Sequence, residues 1–115
     1  MRIKRFLINT SEKSITIDFI HGDTACLSFE YLRVFTPMAK QNALVSHKKH
    51  VVLTSIENVG KYGYRFIFDD QHSAIYSTEY LIVLINEYTQ RWQHYLAELK
   101  TSGHSREATI NITQL

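Results

Sequence analysis

From Ile3 to Asn9, and again in "KSITIDF" (residues 13–19), apolar and polar residues alternate with a period near two. In an extended chain that period puts the apolar side chains on one face. The two stretches therefore read as strands, and the turn-like "TSEK" between them makes a first hairpin. "IHGDT" turns the chain at Gly22, where a positive φ carries no Cβ penalty, and "ACLSF" (25–29) is a third short strand. "VVLTSIENV" (51–59) and "KYGYRFIFD" (61–69) are rich in β-branched and aromatic residues and are separated at Gly60. "HSAIYS" (72–77) returns as a sixth strand after an Asp70-Gln71 turn.

At Ser77 the period changes. Leu81, Leu84, Ile85, Tyr88, Trp92, Tyr95, Leu96 and Leu99 recur at spacings of three and four, which predicts one amphipathic helix from about residue 78 to 99. Ser77 is expected to cap it, with Glu79 in the first turn favoured by the helix dipole. Ile82 and Val83 lie off the stripe. They belong either to a helix start buried on more than one side or to an apolar contact for a second copy or a partner. "EYLRVF" (30–35) has no clean period. Thr36-Pro37 matches an N-cap followed by proline at the first helical position, which predicts a short helical turn in 36–44. "VSHKKH" (45–50) reads as a polar loop, and so long a stretch is either mobile or used for binding. The expected organisation is one domain over 1–99 and a flexible polar tail over 100–115. Ile110, Ile112 and Leu115 leave room in that tail for a short strand formed on a partner.

Composition narrows the classes. With 44% hydrophobic residues, including seven Tyr, six Phe and one Trp, 115 residues suffice for one globular core. Thirteen basic residues against eleven acidic ones give +2, too little to imply a nucleic-acid partner. The longest apolar run, Tyr80 to Ile85, is far short of a membrane span. The opening "MRIKRFLINTSEK" lacks the apolar stretch of a secretory signal, so a cytoplasmic location is expected. Cys26 is the single cysteine, which excludes an internal disulfide and a Cys-rich metal site. In a strand it is expected to be buried as a small apolar residue.

The candidate chemistry gathers in "FDDQHSAIYS". His72 can bind metal, move protons or hold an anion, or it can orient the turn by hydrogen bonding across the hairpin. Alternation puts His72, Ala74 and Tyr76 on one face. Asp69 and Asp70 can form an acid/base pair, though adjacent aspartates at a turn more often accept from local backbone N–H groups. Arg33 is expected to pair with one of them and so fix how the two halves of the chain meet. "HKKH" (47–50) reads as a solvated loop, with no interleaved aromatic to stack bases. No phosphate loop, nucleophile elbow or zinc helix is present.

"YLRVFTP" (31–37), "IENVGKYGYRFIFDDQHSAIYSTEYL" (56–81) and, more weakly, "IDFIHGD" (17–23) occur in an order that resembles the gamma-butyrobetaine hydroxylase-like N-terminal domain family. The resemblance covers roughly residues 3–85. It implies a small protein akin to stand-alone bacterial members of unknown function. Similar domains are attached to iron–sulfur-cluster carrier ATPases and to gamma-butyrobetaine-type oxygenases. In the oxygenases the domain holds a structural zinc through cysteines just after the Leu-Arg pair and a histidine corresponding to His72. Here Val34, Phe35, Thr36 and Pro37 follow Leu32-Arg33 and no cysteine does, so His72 alone is left of that ligand set. Gln71 and Ala74 replace frequent glycines, Thr78 a frequent tryptophan, and Lys40 a common carboxylate. If Gln71 takes a positive φ, the turn costs about 1 kcal/mol.

These readings add up to an α+β domain in which antiparallel hairpins form a small sheet covered by one long C-terminal helix. The expected function is a non-catalytic adaptor without a cofactor. It would dock a protein partner, by the resemblance an iron–sulfur-cluster carrier ATPase, through Arg33, Thr36, Pro37, Asp69, Asp70, His72 and Tyr76. Two alternatives stand beside it: a module binding iron or zinc through His72, Asp69 and Asp70, and a small enzyme with a pocket at His72 and Tyr76. Neither a membrane nor a nucleic acid is an expected partner. Self-association through Ile82 and Val83 remains open.

Overall fold

The computed structural model describes residues 2–37, 46–103 and 106. Strands β1 (Ile3–Asn9), β2 (Ser14–Phe19) and β3 (Thr24–Ser28) form one antiparallel sheet in the order β1-β2-β3. Strands β4 (Leu53–Asn58), β5 (Tyr64–Phe68) and β6 (Ser73–Tyr76) form a second, in the order β4-β5-β6. Helix α1 (Phe29–Val34) follows β3, and α2 (Thr78–Asn86) and α3 (Tyr88–Ser102) close the described chain. All six expected strands are present, and the α+β class holds. The strands are shared between two sheets instead of one, because β3 hands the chain to α1 and not to a further hairpin.

The two sheets are joined by what alternation put on their inner faces. Ile15, Ile17 and Phe19 of β2 are buried while Ser14, Thr16 and Asp18 between them are half-buried. They meet Leu53, Phe66, Phe68, Ala74 and Tyr76 of the second sheet in a single core cluster. Phe6 of β1 reaches across edge-on to Tyr64 at 4.8 Å and to Phe66 at 5.7 Å between ring centroids. Leu81 and Leu84 of α2 complete the cluster with no exposed surface. Ile82 also packs against it, so α2 is covered on more than one side.

Helix α1 explains why "EYLRVF" lacked a period. Its N-cap Ser28 accepts from the Tyr31 N–H at 3.0 Å, and Phe29, Glu30, Tyr31, Leu32 and Val34 are all buried. A single helical turn and a half, enclosed on nearly every side, has no polar face to create a 3.6-residue pattern.

The long C-terminal helix is divided at Glu87. Hydrogen bonds continue through the break, from Glu87 N–H to Val83 O and from Arg91 N–H to Glu87 O, both 2.9 Å. The Glu87 φ of −105° and ψ of 16° leave the helical range and separate α2 from α3. The eight-residue stripe is therefore split between two neighbours. Leu81 and Leu84 pack on the sheets, while Tyr95 and Leu99 form a second cluster with Val34 of α1. Tyr88, expected inside, is 39% exposed and turns its ring edge-on to Tyr31 at 4.8 Å. Helix α3 runs to Ser102, three residues into the expected tail, and stops at Gly103 in the left-handed region with φ 77°.

Two other expectations need correction or fall outside view. Cys26 is exposed. Its register partner is Thr16, whereas Ala25 and Leu27 sit opposite the inward Ile17 and Ile15, so alternation sends the thiol outward. The helical turn expected in 36–44 lies, from residue 38 on, outside the described residues, and Thr36 and Pro37 themselves are not helical.

Candidate functional site

Polar side chains from the end of α1, the β5–β6 turn and the segment before β4 meet at Asp70. Arg33, in the last turn of α1, donates through Nε to Asp70 Oδ2 at 2.8 Å, and Lys48 donates through Nζ to the same oxygen at 2.7 Å. The side chains of Arg33, Asp70 and Lys48 are 14%, 20% and 23% exposed, so the three charges are largely withdrawn from water. Asp70 Oδ1 accepts from the His72 N–H at 3.3 Å, closing an Asx turn over Gln71, whose φ is 66°. The strained turn residue expected from the sequence is thus held by the aspartate beside it.

A second set of bonds ties the end of α1 to β6 and α2. His72 Nε2 lies 2.9 Å from Thr36 Oγ1. The Tyr76 hydroxyl donates to Leu32 O, and the Tyr80 hydroxyl donates to Phe35 O at 2.7 Å. Carbonyls at a helix C-terminus have no partner within the helix. Here two phenols from later in the chain supply one.

Burial raises the Asp70 carboxyl, but the hydrogen bonds and charges of Lys48 and Arg33 outweigh it and hold the group below its ordinary value. Burial lowers His72, and the positive Arg33 and Lys48 push the same way against Asp70. Burial also raises the Tyr76 phenol, far from any working pH. The cluster at neutral pH is therefore an ionised carboxylate between two cations, beside a neutral imidazole.

These shifts make two expected outcomes. Arg33→Ala leaves Asp70 short of one of its two cations in a partly dry site and should cost about 1–3 kcal/mol. Urea denaturation measures this, and stability equal to the parent would mean that the pair does not join the two halves. For His72 the folded value lies below the unfolded one, so between them the unfolded chain binds more protons. The contribution is present above the ordinary histidine value and lost as pH falls through the folded value. The stability margin of the native chain over His72→Gln should accordingly be larger at pH 7.5 than at pH 5. A margin that does not change with pH counts against the buried neutral imidazole.

Of the seven residues expected to form a site, Arg33, Thr36, Asp70, His72 and Tyr76 are brought together. Tyr76 is fully buried and Thr36 nearly so, so they support the surface from beneath. Pro37 is half-buried at its rim. Asp69 faces elsewhere. Its Oδ1 accepts from the Val52 N–H at 3.0 Å and its own N–H donates to Val52 O at 2.9 Å, which pins the chain just before β4. Among the described residues no group of three or more His, Cys, Asp or Glu is placed to hold a metal. The two cations on Asp70 also oppose a third beside His72.

Sequence reasoning missed Lys48, read as part of a solvated loop, and a second ion pair. Glu30, buried in α1, takes both prongs of the Arg106 guanidinium, Nε to Oε2 at 3.0 Å and Nη2 to Oε1 at 2.8 Å. Arg106 also lies over the Trp92 ring, 5.3 Å from its centroid, and its carbonyl accepts from the Lys49 N–H at 2.8 Å. These pairs span 22 and 76 residues of chain, and no local pattern announces contacts of that kind.

Two clefts lie away from the polar cluster. One, of about 250 Å³, opens between Phe6 and Ile8 of β1, Ile56 and Asn58 of β4, and Tyr64. The other, of about 190 Å³, is lined by residues that include Phe19, Asp23, Ile82 and Ile85.

Two three-stranded antiparallel sheets closed by a C-terminal helix pair, with a half-buried ion-pair cluster where the end of α1 meets the β5–β6 turn, define a small α+β domain. The sequence pattern of the family described as gamma-butyrobetaine hydroxylase-like, N-terminal, matches residues 7–82, and the chain belongs to that family. Two proteins with NMR solution structures are similar over 99% of this chain. One is 30% identical with a TM-score of 0.82 and 96% of its length covered. The other is 31% identical with a TM-score of 0.83 and 91% covered. A crystal structure of a protein with unknown function from Acidithiobacillus ferrooxidans, of the DUF971 family, is 31% identical. It has a TM-score of 0.62 over 70% of this chain and 88% of that one. No curated protein matches the chain.

Proposed function

We propose that the protein is a small non-catalytic binding domain that docks a protein partner on the face above Asp70. The observation that carries this reading is that the cluster satisfies itself. Asp70 is taken by Arg33 and Lys48, His72 by Thr36, and Tyr76 by Leu32 O. A catalytic centre needs a group left available to a substrate and a concave place for it. Neither cleft described above is lined by a residue of this cluster. What such a cluster does supply is a rigid rim made of Pro37, Lys48 and Gln71, held by half-buried bonds and presented on loops, where recognition residues commonly sit.

By the resemblance alone, the partner we propose is an iron–sulfur-cluster carrier ATPase. Titrating isotope-labelled protein with such an ATPase should move the amide signals of Arg33–Pro37, Lys48 and Asp69–His72. Shifts confined elsewhere, or none, reject the surface. Metal analysis of untagged protein gives a second arm, since one metal per chain would replace this reading with the metal-binding one.

A further inference from the structure

Glu30 is a carboxylate that the fold withdraws from water. It stands in the first turn of α1 between the buried Phe29 and Tyr31 and is 5% exposed. An ionised carboxylate so placed is costly unless a cation reaches it. The cation that does so comes from outside the core. The buried members of both core clusters lie between Ile15 and Leu99, and α3 stops at Gly103. Arg106 lies beyond that stop. Arg91, nearer at hand on α3, is taken by Glu87 at 2.9 Å and lies over the Phe35 ring.

The surface that receives Arg106 is suited to a guanidinium and to no other common cation. Both Glu30 oxygens accept, from Nε at 3.0 Å and from Nη2 at 2.8 Å, a two-point match to a planar fork that an ammonium does not offer. The Trp92 ring lies 5.3 Å from the guanidinium carbon, and an aromatic face attracts a flat, weakly hydrated cation. That ring is held by Tyr88, stacked on it at 6.4 Å, and by Tyr31 and Tyr95 at 6.2 and 5.3 Å. These ring contacts do not pass through Arg106, so the carboxylate and its aromatic platform stay in place when the guanidinium leaves. Of the two charged partners Arg106 is the outer one, 37% exposed against 5% for Glu30, and its way out is toward solvent.

We propose that Glu30 and Trp92 form a guanidinium-binding site, that Arg106 occupies it as a resident pseudo-ligand, and that its exchangeable ligand is an arginine side chain of a partner protein. A group on the same chain competes as though present at roughly millimolar concentration, so Arg106 keeps the site closed to weak ligands. The site shares no residue with the cluster around Asp70, and it stands or falls apart from the partner face proposed above.

Fluorescence titration of the full-length chain tests this, because Trp92 is its single tryptophan and reports the site alone. In Arg106→Ala the blocked tripeptide Gly-Arg-Gly should give a saturable change, and Gly-Lys-Gly should need a concentration at least about tenfold higher. The native chain should need at least about tenfold more Gly-Arg-Gly than the variant, because Arg106 competes. Adding Glu30→Gln to Arg106→Ala should abolish the saturable change. If Arg106→Ala unfolds by itself, Gly-Arg-Gly should restore the native amide signals of Ile17 and Phe66, and Gly-Lys-Gly should not. The proposal is overturned by equal responses to the two peptides, by a response that survives Glu30→Gln, or by an Arg106→Ala chain indifferent to Gly-Arg-Gly. A native chain that binds Gly-Arg-Gly as tightly as the variant does overturns the residency of Arg106.

Discussion

Replacing Phe66 by alanine is expected to cost about 3–5 kcal/mol, the range for deleting a fully enclosed aromatic. Phe66 has no exposed surface. Its ring lies 4.4 Å from that of Tyr76 and meets Phe6 of the opposite sheet. The residue therefore fills the junction between the sheets, and no neighbouring element can slide in to close the hole without separating them. The loss would also release Tyr76, whose hydroxyl holds the end of α1 at Leu32 O. With a denaturant slope of about 1–3 kcal/mol per molar urea, the unfolding midpoint should fall by roughly 2 M. A fall of only a few tenths would mean that the two sheets do not depend on this contact.

Gly63→Ala should be as damaging, for a reason that burial does not reveal. Gly63 has φ 124°, a backbone region in which L side chains are strained. A Cβ at this position would stand 2.4 Å from the Tyr76 carbonyl oxygen and 2.8 Å from the Ser77 Cα. Both neighbours are backbone, so no side chain can swing away. Moving them pulls on β6 and on the N-cap of α2, where Ser77 accepts from the Tyr80 N–H. Strain and overpacking together should cost about 2–6 kcal/mol. Gly60→Ala makes a useful comparison. Its φ of 67° is also positive, but a Cβ there meets nothing within 4 Å, so its cost should stay near the strain of the turn, about 1–2 kcal/mol. Equal losses at the two glycines would show that the close approach to Tyr76 is relieved.

A turn at Gly60 was visible in the sequence, whereas Gly63 read as part of the strand "KYGYRFIFD" (61–69). The contact of Gly63 with Tyr76 was not visible, because that depends on β6 pairing back against β5 and bringing residue 76 beside residue 64. The polar cluster divides the same way. "DDQH" announced a turn and Arg33 a partner for it, and Arg33 with Asp70 is the pair that forms. Lys48 looked like one lysine among several in a basic loop, and only the fold selects it. Glu30 gave no signal at all, since a glutamate in a short helix is ordinarily solvated and this one is buried under Arg106.

Periodicity by itself determined the six strands, the cap at Ser77 and the apolar stripe of the last helices, because those features follow from side-chain direction over a few neighbouring residues. Tertiary structure alone decided that the strands would divide into two sheets. It also turned Cys26 outward, broke the helix at Glu87 and made one carboxylate the meeting point of three segments. Each of these outcomes depends on residues far apart in the chain, and a distant partner leaves no mark on local spacing. The physical difference is between a preference written into consecutive dihedrals and a contact that exists only once the chain has closed on itself.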